Sequence, residues 1–225
     1  MTDEVEDFPS ARFNDRIFIC GTTDSGKSVL AHLLYSSIVP PFWKIIIDIT
    51  DSINEPYALT FYDPTNIPWD KSYSLRFVPD IQYMNEQISA LFIGIYEHGF
   101  TWYWLDEANE VSTAHSTIFG LRKVLLQGRK AYVGGAACTP RPRDITKSLI
   151  TQSQFIAIFA LIDSDDRNTI AKNIGLMPLE FDAMMADLPQ WGFLYYDVRT
   201  RTLRTVDPIP ADIVDRLENP PEPKE

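Results

Sequence analysis

Residues 21–28 read Gly-Thr-Thr-Asp-Ser-Gly-Lys-Ser, a complete G-x-x-x-x-G-K-S spacing. Successive backbone N–H groups from Gly21 through Thr22, Thr23, Asp24, Ser25 and Gly26 can curl around a polyphosphate, and the N-terminus of the helix that follows adds partial positive charge. Lys27 would reach the β- and γ-phosphates, the Ser28 hydroxyl would ligate Mg²⁺, and Val29 would open the helix behind the loop. This is the chemistry of ATP binding. A second candidate lies further along the chain, where Phe100-Thr-Trp-Tyr-Trp-Leu105 ends at Asp106-Glu107. An acid at the tip of an apolar strand is a Walker B pattern: Asp106 would hold the Mg²⁺ and Glu107 would polarise an attacking water. A bare acidic turn is the alternative reading of that pair.

Both motifs need strands to present them. Arg16-Ile-Phe-Ile-Cys20 runs into the loop as a short apolar strand, and 29–34 leaves it as a helix. Trp43–Thr50 is β-branched and reads as a buried strand, and Ser74–Val78 as a short one. Residues 51–72 read as an irregular excursion. Apolar positions 84, 88, 91, 92 and 95 recur at helical spacing between Tyr83 and His98. A helix is expected over 116–127, a small-residue strand over Ala131–Cys138, and a helix over Asp144–Thr151 with Asp144 as its N-cap. A buried strand over 154–161, helices near 164–174 and 178–187, and a hairpin from 191–197 and 202–206 complete the pattern. Alternating strands and helices imply an α/β fold with a mainly parallel sheet covered on both faces, and a ligand beyond the strands' carboxyl ends.

The 225 residues suit one domain able to bury a core. We assign 1–12 to a flexible acidic N-terminus, 13–208 to a single P-loop ATPase domain and 209–225 to a Pro- and acid-rich tail, disordered at Asn219–Glu225. No 18-residue apolar run and no signal peptide are present, so an intracellular protein without a membrane span is expected. Two cysteines and three histidines form no metal-ligand cluster. The net charge of −11 weighs against nucleic-acid binding without removing it, because 122–147 and 199–204 are locally basic.

A third segment narrows the reading. Gln127-Gly-Arg-Lys130, the small-residue strand, and Cys138-Thr-Pro-Arg-Pro-Arg-Asp-Ile145 resemble the FtsK/HerA superfamily of DNA-pumping ATPases. The likeness extends through Phe155–Phe159 and Leu188–Tyr196, covering most of 16–197. It implies a RecA-like (ASCE) P-loop fold with a C-terminal β-hairpin, and a homo-oligomeric ring with ATP at each subunit boundary. Arg129 matches the family's arginine-finger position, presented to a neighbour's ATP; such a residue is worth ~10³–10⁵ in rate. A solvated helix-end arginine is the alternative, and Arg141 is the second choice for the finger. Pro140 stands where the family usually has a sensor glutamine, which leaves Thr139 or Arg141 for that role, or weaker sensing.

Only a short segment precedes the first core strand, and little follows the hairpin. A bare motor of this kind is most similar to the genome-packaging ATPases of membrane-containing icosahedral double-stranded DNA viruses. The resemblance implies double-stranded DNA as partner, docking at a capsid vertex or portal with small viral membrane proteins, and a place in the host cytoplasm or the virion. Arg122, Lys123 and Lys130, or Arg199, Arg201 and Arg204, are the DNA-facing candidates; for the latter group, solvent-facing arginines on an edge strand are the alternative. A P-loop kinase or nucleotide-metabolising enzyme, and an ATP-switched assembly protein, are the competing functions. In the superfamily's sheet order Cys20 and Cys138 come close together, as packing residues without a disulfide. Trp102, Tyr103 and Trp104 would fill the core on both sides of the sheet.

Overall fold

A computed structural model describes residues 12–219. Nine strands form one sheet: β1 (Arg16–Cys20), β2 (Trp43–Ile47), β3 (Leu59–Phe61), β4 (Ser74–Phe77), β5 (Thr101–Leu105), β6 (Gly134–Thr139), β7 (Phe155–Ile158), β8 (Phe193–Asp197) and β9 (Thr202–Val206). Their order is β3-β4-β2-β5-β6-β1-β7-β8-β9. The first seven in that order are mutually parallel, and β8 and β9 join antiparallel. Among the described residues seven helices surround them: α1 (Lys27–Ser37), α2 (Met84–His98), α3 (Phe119–Gln127), α4 (Lys147–Thr151), α5 (Ser164–Ile174), α6 (Pro178–Ala186) and α7 (Ala211–Glu218).

The central strands β1, β5, β6 and β7 are buried at every residue, which is why they read as unbroken apolar runs rather than alternating ones. Two cores result, one on each face of the sheet. Phe18, Cys20 and Tyr103 pack with α2, α3 and α5, while Ile17, Ile19, Trp102, Trp104 and Cys138 pack with α1. The aromatic run of β5 therefore fills both faces, as its alternation predicts. Small residues in β6 let β5 come close: a Cβ on Gly135 would lie 2.4 Å from the Tyr103 carbonyl oxygen.

Helix ends follow local chemistry. The Asp163 side chain accepts from Asp165 N at 2.8 Å to start α5, and Gly175 at φ 79° ends it. Several expected boundaries change. The strand expected over 131–138 is β6 at Gly134–Thr139, because Gly128–Ala131 forms a 3₁₀ turn. Residues 116–118 stay outside α3, where Thr117 bridges to Ser112 and Ile118 is the residue before the helix. Asp144 is not a helix cap; it closes a 3₁₀ turn begun by Pro142, and α4 starts only after Thr146. The excursion over 51–72 contains β3, paired with β4. Within the segment set apart as a tail, 211–218 forms α7, which packs on α1. The rest of that tail at 220–225, and 1–11 of the N-terminal segment, lie outside the described residues. Among the described residues no helix is long and apolar enough to cross a membrane.

Candidate functional site

β1 delivers the loop of residues 21–26 at its carboxyl end, and α1 begins at Lys27 behind it. Gly26 sits at φ 105°, where a side chain is strained, and a Cβ there would press on the Phe159 ring at 3.0 Å. Thr22 N is fixed by the Ala160 carbonyl at 2.9 Å. Lys27 is buried and its Nζ donates to the Thr22 carbonyl at 2.7 Å, folding its charge back over the loop. Ser25 Oγ is buried with no hydrogen-bond partner, an unusual loss that a ligand oxygen would repair. In front of the loop lies a cavity of about 510 Å³ lined by residues 24–29 on one side. A position that only glycine takes without strain, an orphaned hydroxyl and a lysine at a helix start together fit a bound triphosphate.

β5 ends one strand further from β1, beyond β6, and places Asp106 and Glu107 on the same edge of the sheet. Ser28 and Asp106 line one further cavity of about 340 Å³, shared with His32 and Trp104. The sequence motifs alone could not place those two oxygens together; the sheet order does. Burial, and then the charges of Glu107 and Asp48, push the Asp106 carboxyl up to about 6, with Lys27 and the Trp104 indole pulling the other way. Glu107 is half-buried in the left-handed region at φ 50°. Burial raises its carboxyl as well, opposed by Lys27. Lys27 thus acts electrostatically on both acids. Ser28 and Asp106 are the residues that could hold a divalent metal, and Glu107 is the acid left beside them.

Thr139 closes the far side. It is fully buried at the end of β6, its Oγ1 donating to Asn109 Oδ1 at 3.1 Å and accepting from Arg141 N at 3.2 Å. Asn109 belongs to the 3₁₀ turn Ala108–Glu110 that follows Glu107. Of the two candidates for the sensor, Thr139 is therefore tied to the turn behind Glu107, whereas Arg141 is exposed at the same edge. Arg129 lies elsewhere. It is exposed in the 3₁₀ turn Gly128–Ala131, whose Ala131 carbonyl accepts from Phe100 N at 3.0 Å, just ahead of β5. That is the amino-terminal edge of the sheet, opposite the loop.

Several contributors escaped the sequence reading. Asp48, fully buried at the end of β2, accepts from Arg76 Nη2 at 2.6 Å and from the backbone of Ile53 at 2.8 Å. The pair anchors the 48–53 loop beside Asp106. An acid closing the Ile45-Ile-Ile run was visible, as at Asp106, but its partner Arg76 comes from a different strand, β4. His32 Nε2 meets Glu55 Oε2 at 2.7 Å on the wall of the smaller cavity. Trp191 and α7 line the larger cavity. Among the basic candidates, Lys123 lies over the Tyr96 ring and 4.0 Å from Glu97. Arg199 bonds Asp197 and reaches Asp15 at 3.4 Å. Arg204 lies over Tyr195 on the edge strand β9. Arg122, Lys130 and Arg201 are exposed.

No protein-family model matches the chain. The DNA packaging ATPase P9 of Enterobacteria phage PRD1 is 25% identical over 211 residues, which span 88% of this chain and 89% of P9. The genome packaging NTPase B204 of Sulfolobus turreted icosahedral virus 2, solved with AMPPCP, superposes with a TM-score of 0.71 at 22% identity, over 88% of this chain and all of that one. VirB4 of Thermoanaerobacter pseudethanolicus superposes with a TM-score of 0.63 at 12% identity, over 88% of this chain and 90% of VirB4.

Proposed function

We propose that this chain, a homologue of the viral genome-packaging ATPases, hydrolyses ATP to drive double-stranded DNA into a viral capsid, acting as a ring of identical copies. One observation carries the reading: Ser28 and Asp106, from two motifs well separated in the sequence, line one cavity beside the phosphate-binding loop, in a chain related to P9 along nearly its whole length.

The loop amides and Lys27 would bind the phosphates, with Lys27 exchanging its Thr22 carbonyl for phosphate oxygen. Ser28 and Asp106 would hold Mg²⁺. When bound, the metal supplies positive charge against the negative charge that develops on the phosphoryl oxygens. Glu107 would orient the attacking water and accept its proton. Burial raises its carboxyl and so makes it a stronger base, while Lys27 favours its ionised form. Asn109 and Thr139 would keep the Glu107 turn in register with the end of β6. Arg129, on the opposite edge, would serve a neighbour's ATP; Arg141, on the same edge as the loop, is the second choice. Exposed Arg122, Lys130 and Arg201 are the groups best placed to follow a DNA backbone. The working site would be a capsid vertex or portal, reached from the host cytoplasm, with basic or membrane-associated viral proteins as docking partners.

The test is Mg²⁺-dependent ATP turnover with and without double-stranded DNA, with Glu107→Gln as the blank. Turnover should rise with DNA and fall about 10²–10⁴-fold in the variant, while nucleotide binding persists. Turnover indifferent to DNA in a demonstrably assembled sample would sink the motor. Absence of turnover would favour a kinase or a switch.

A further inference from the structure

We infer that Trp191 and the start of α7 form the subsite for the nucleotide's base, which would stack on the Trp191 indole. The inference rests on the reading of residues 21–28 as a nucleotide-binding loop and extends it to residues outside that loop and the Asp106-Glu107 pair. The cavity of about 510 Å³ has two unlike walls. Residues 24–29 supply the loop's polar groups on one, and Phe159, Trp191, Ile209, Ala211 and Val214 supply an apolar surface on the other, flanked by the α7 acids Asp215 and Glu218. A volume of that size, apolar over part of its wall with a few convergent polar groups, suits a small-molecule ligand. A triphosphate on the loop amides has to send its base somewhere within the same cavity, and the apolar wall is the surface suited to an aromatic ring.

Trp191 itself is anomalous in two ways. It is 57% exposed, although a tryptophan normally hides most of its surface. Its backbone sits at φ 62°, a region that bulky residues avoid. It stands in the turn between α6 and β8, where the next residue, Gly192, donates its N–H to the Pro189 carbonyl at 2.9 Å. Strain of this sort is found where a side chain is being presented rather than packed. α7 completes the wall: it is preceded by Pro208 and Pro210, and it packs on α1 directly behind the loop. Stacking reads a π-face that every base possesses, so this subsite should contribute affinity without choosing between adenine and guanine.

The experiment measures equilibrium binding of ATP, GTP and inorganic tripolyphosphate to the full chain and to Trp191→Ala, Trp191→Phe and Lys27→Ala. Trp191→Ala should weaken ATP and GTP alike, by about tenfold, and leave tripolyphosphate unchanged. Trp191→Phe should restore most of the loss. Quenching of tryptophan fluorescence by ATP should shrink in Trp191→Phe. Unchanged ATP affinity in Trp191→Ala would overturn the proposal. An equal loss for tripolyphosphate would also overturn it, because the residue would then be supporting the loop and not the base. If Lys27→Ala and the parent chain bind none of the three ligands, the phosphate-loop reading fails and takes this subsite with it.

Discussion

Asp106 is almost sealed at the tip of β5, and burial with the charges of Glu107 and Asp48 raises its carboxyl to about 6. A raised acid pKa means that the folded chain disfavours the carboxylate, so the cost is full above about pH 6 and fades as pH falls toward the unfolded value near 4. Metal binding would repay that cost, because a divalent cation favours the ionised form. In metal-free buffer, Asp106→Asn should therefore stabilise the protein at pH 7.5, by on the order of 2 kcal/mol. The gain should shrink by pH 5, as read from urea denaturation at each pH. A variant less stable than the parent at pH 7.5 would mean that attraction to Lys27 outweighs burial. The two acids of the motif were legible from their position after an aromatic strand. The burial that sets their charge state was not, since it depends on Asp48 and Lys27 arriving from two other segments.

Between elements, β1 and β6 are neighbours, with Ile19 opposite Cys138 and Cys20 opposite Thr139. Cys20 and Cys138 are thus one step apart in register and face opposite sides of the sheet, each in a different core. A disulfide cannot span a strand's thickness without reversing one side chain. Burial also raises both thiols well above their ordinary range, so neither forms a reactive thiolate. A thiol reagent should titrate no cysteine in the native protein and both after denaturation. One fast-reacting thiol in the native state would show that the β1–β6 seam opens. The sequence could place each cysteine on a strand, and the superfamily's sheet order could bring them close. Which face each occupies follows from the register, a long-range property.

Across the whole molecule, the sheet separates its two edges by the length of its strands. Lys27, Asp106 and Glu107 lie at one edge, and Arg129 lies on the turn feeding β6 at the other. Head-to-tail association of identical copies would bring unlike edges together, as ring closure requires. Glu107→Gln and Arg129→Ala should each be inactive alone, and mixing them before assembly should recover roughly a quarter of the parent turnover, since sites formed at random would be intact at about that frequency. Failure of the mixture to recover, with mixed assemblies verified by mass, would return the finger role to Arg141.

By itself the sequence determined the features that are local. The 21–28 spacing dictates a backbone curl, the apolar run before Asp106 dictates a buried strand, and strand–helix alternation dictates a parallel sheet, because each depends on sterics and burial within a short window. The family resemblance set β6 beside β1, but only the tertiary structure put β5 on the far side of β6, which sets the gap between Ser28 and Asp106. It also buried Asp48 against Arg76 and laid α7 over α1 beside the loop. Those outcomes come from pairing segments that lie far apart along the chain. Loop closure and the packing of both sheet faces at once select such pairings, and no short window of sequence contains them.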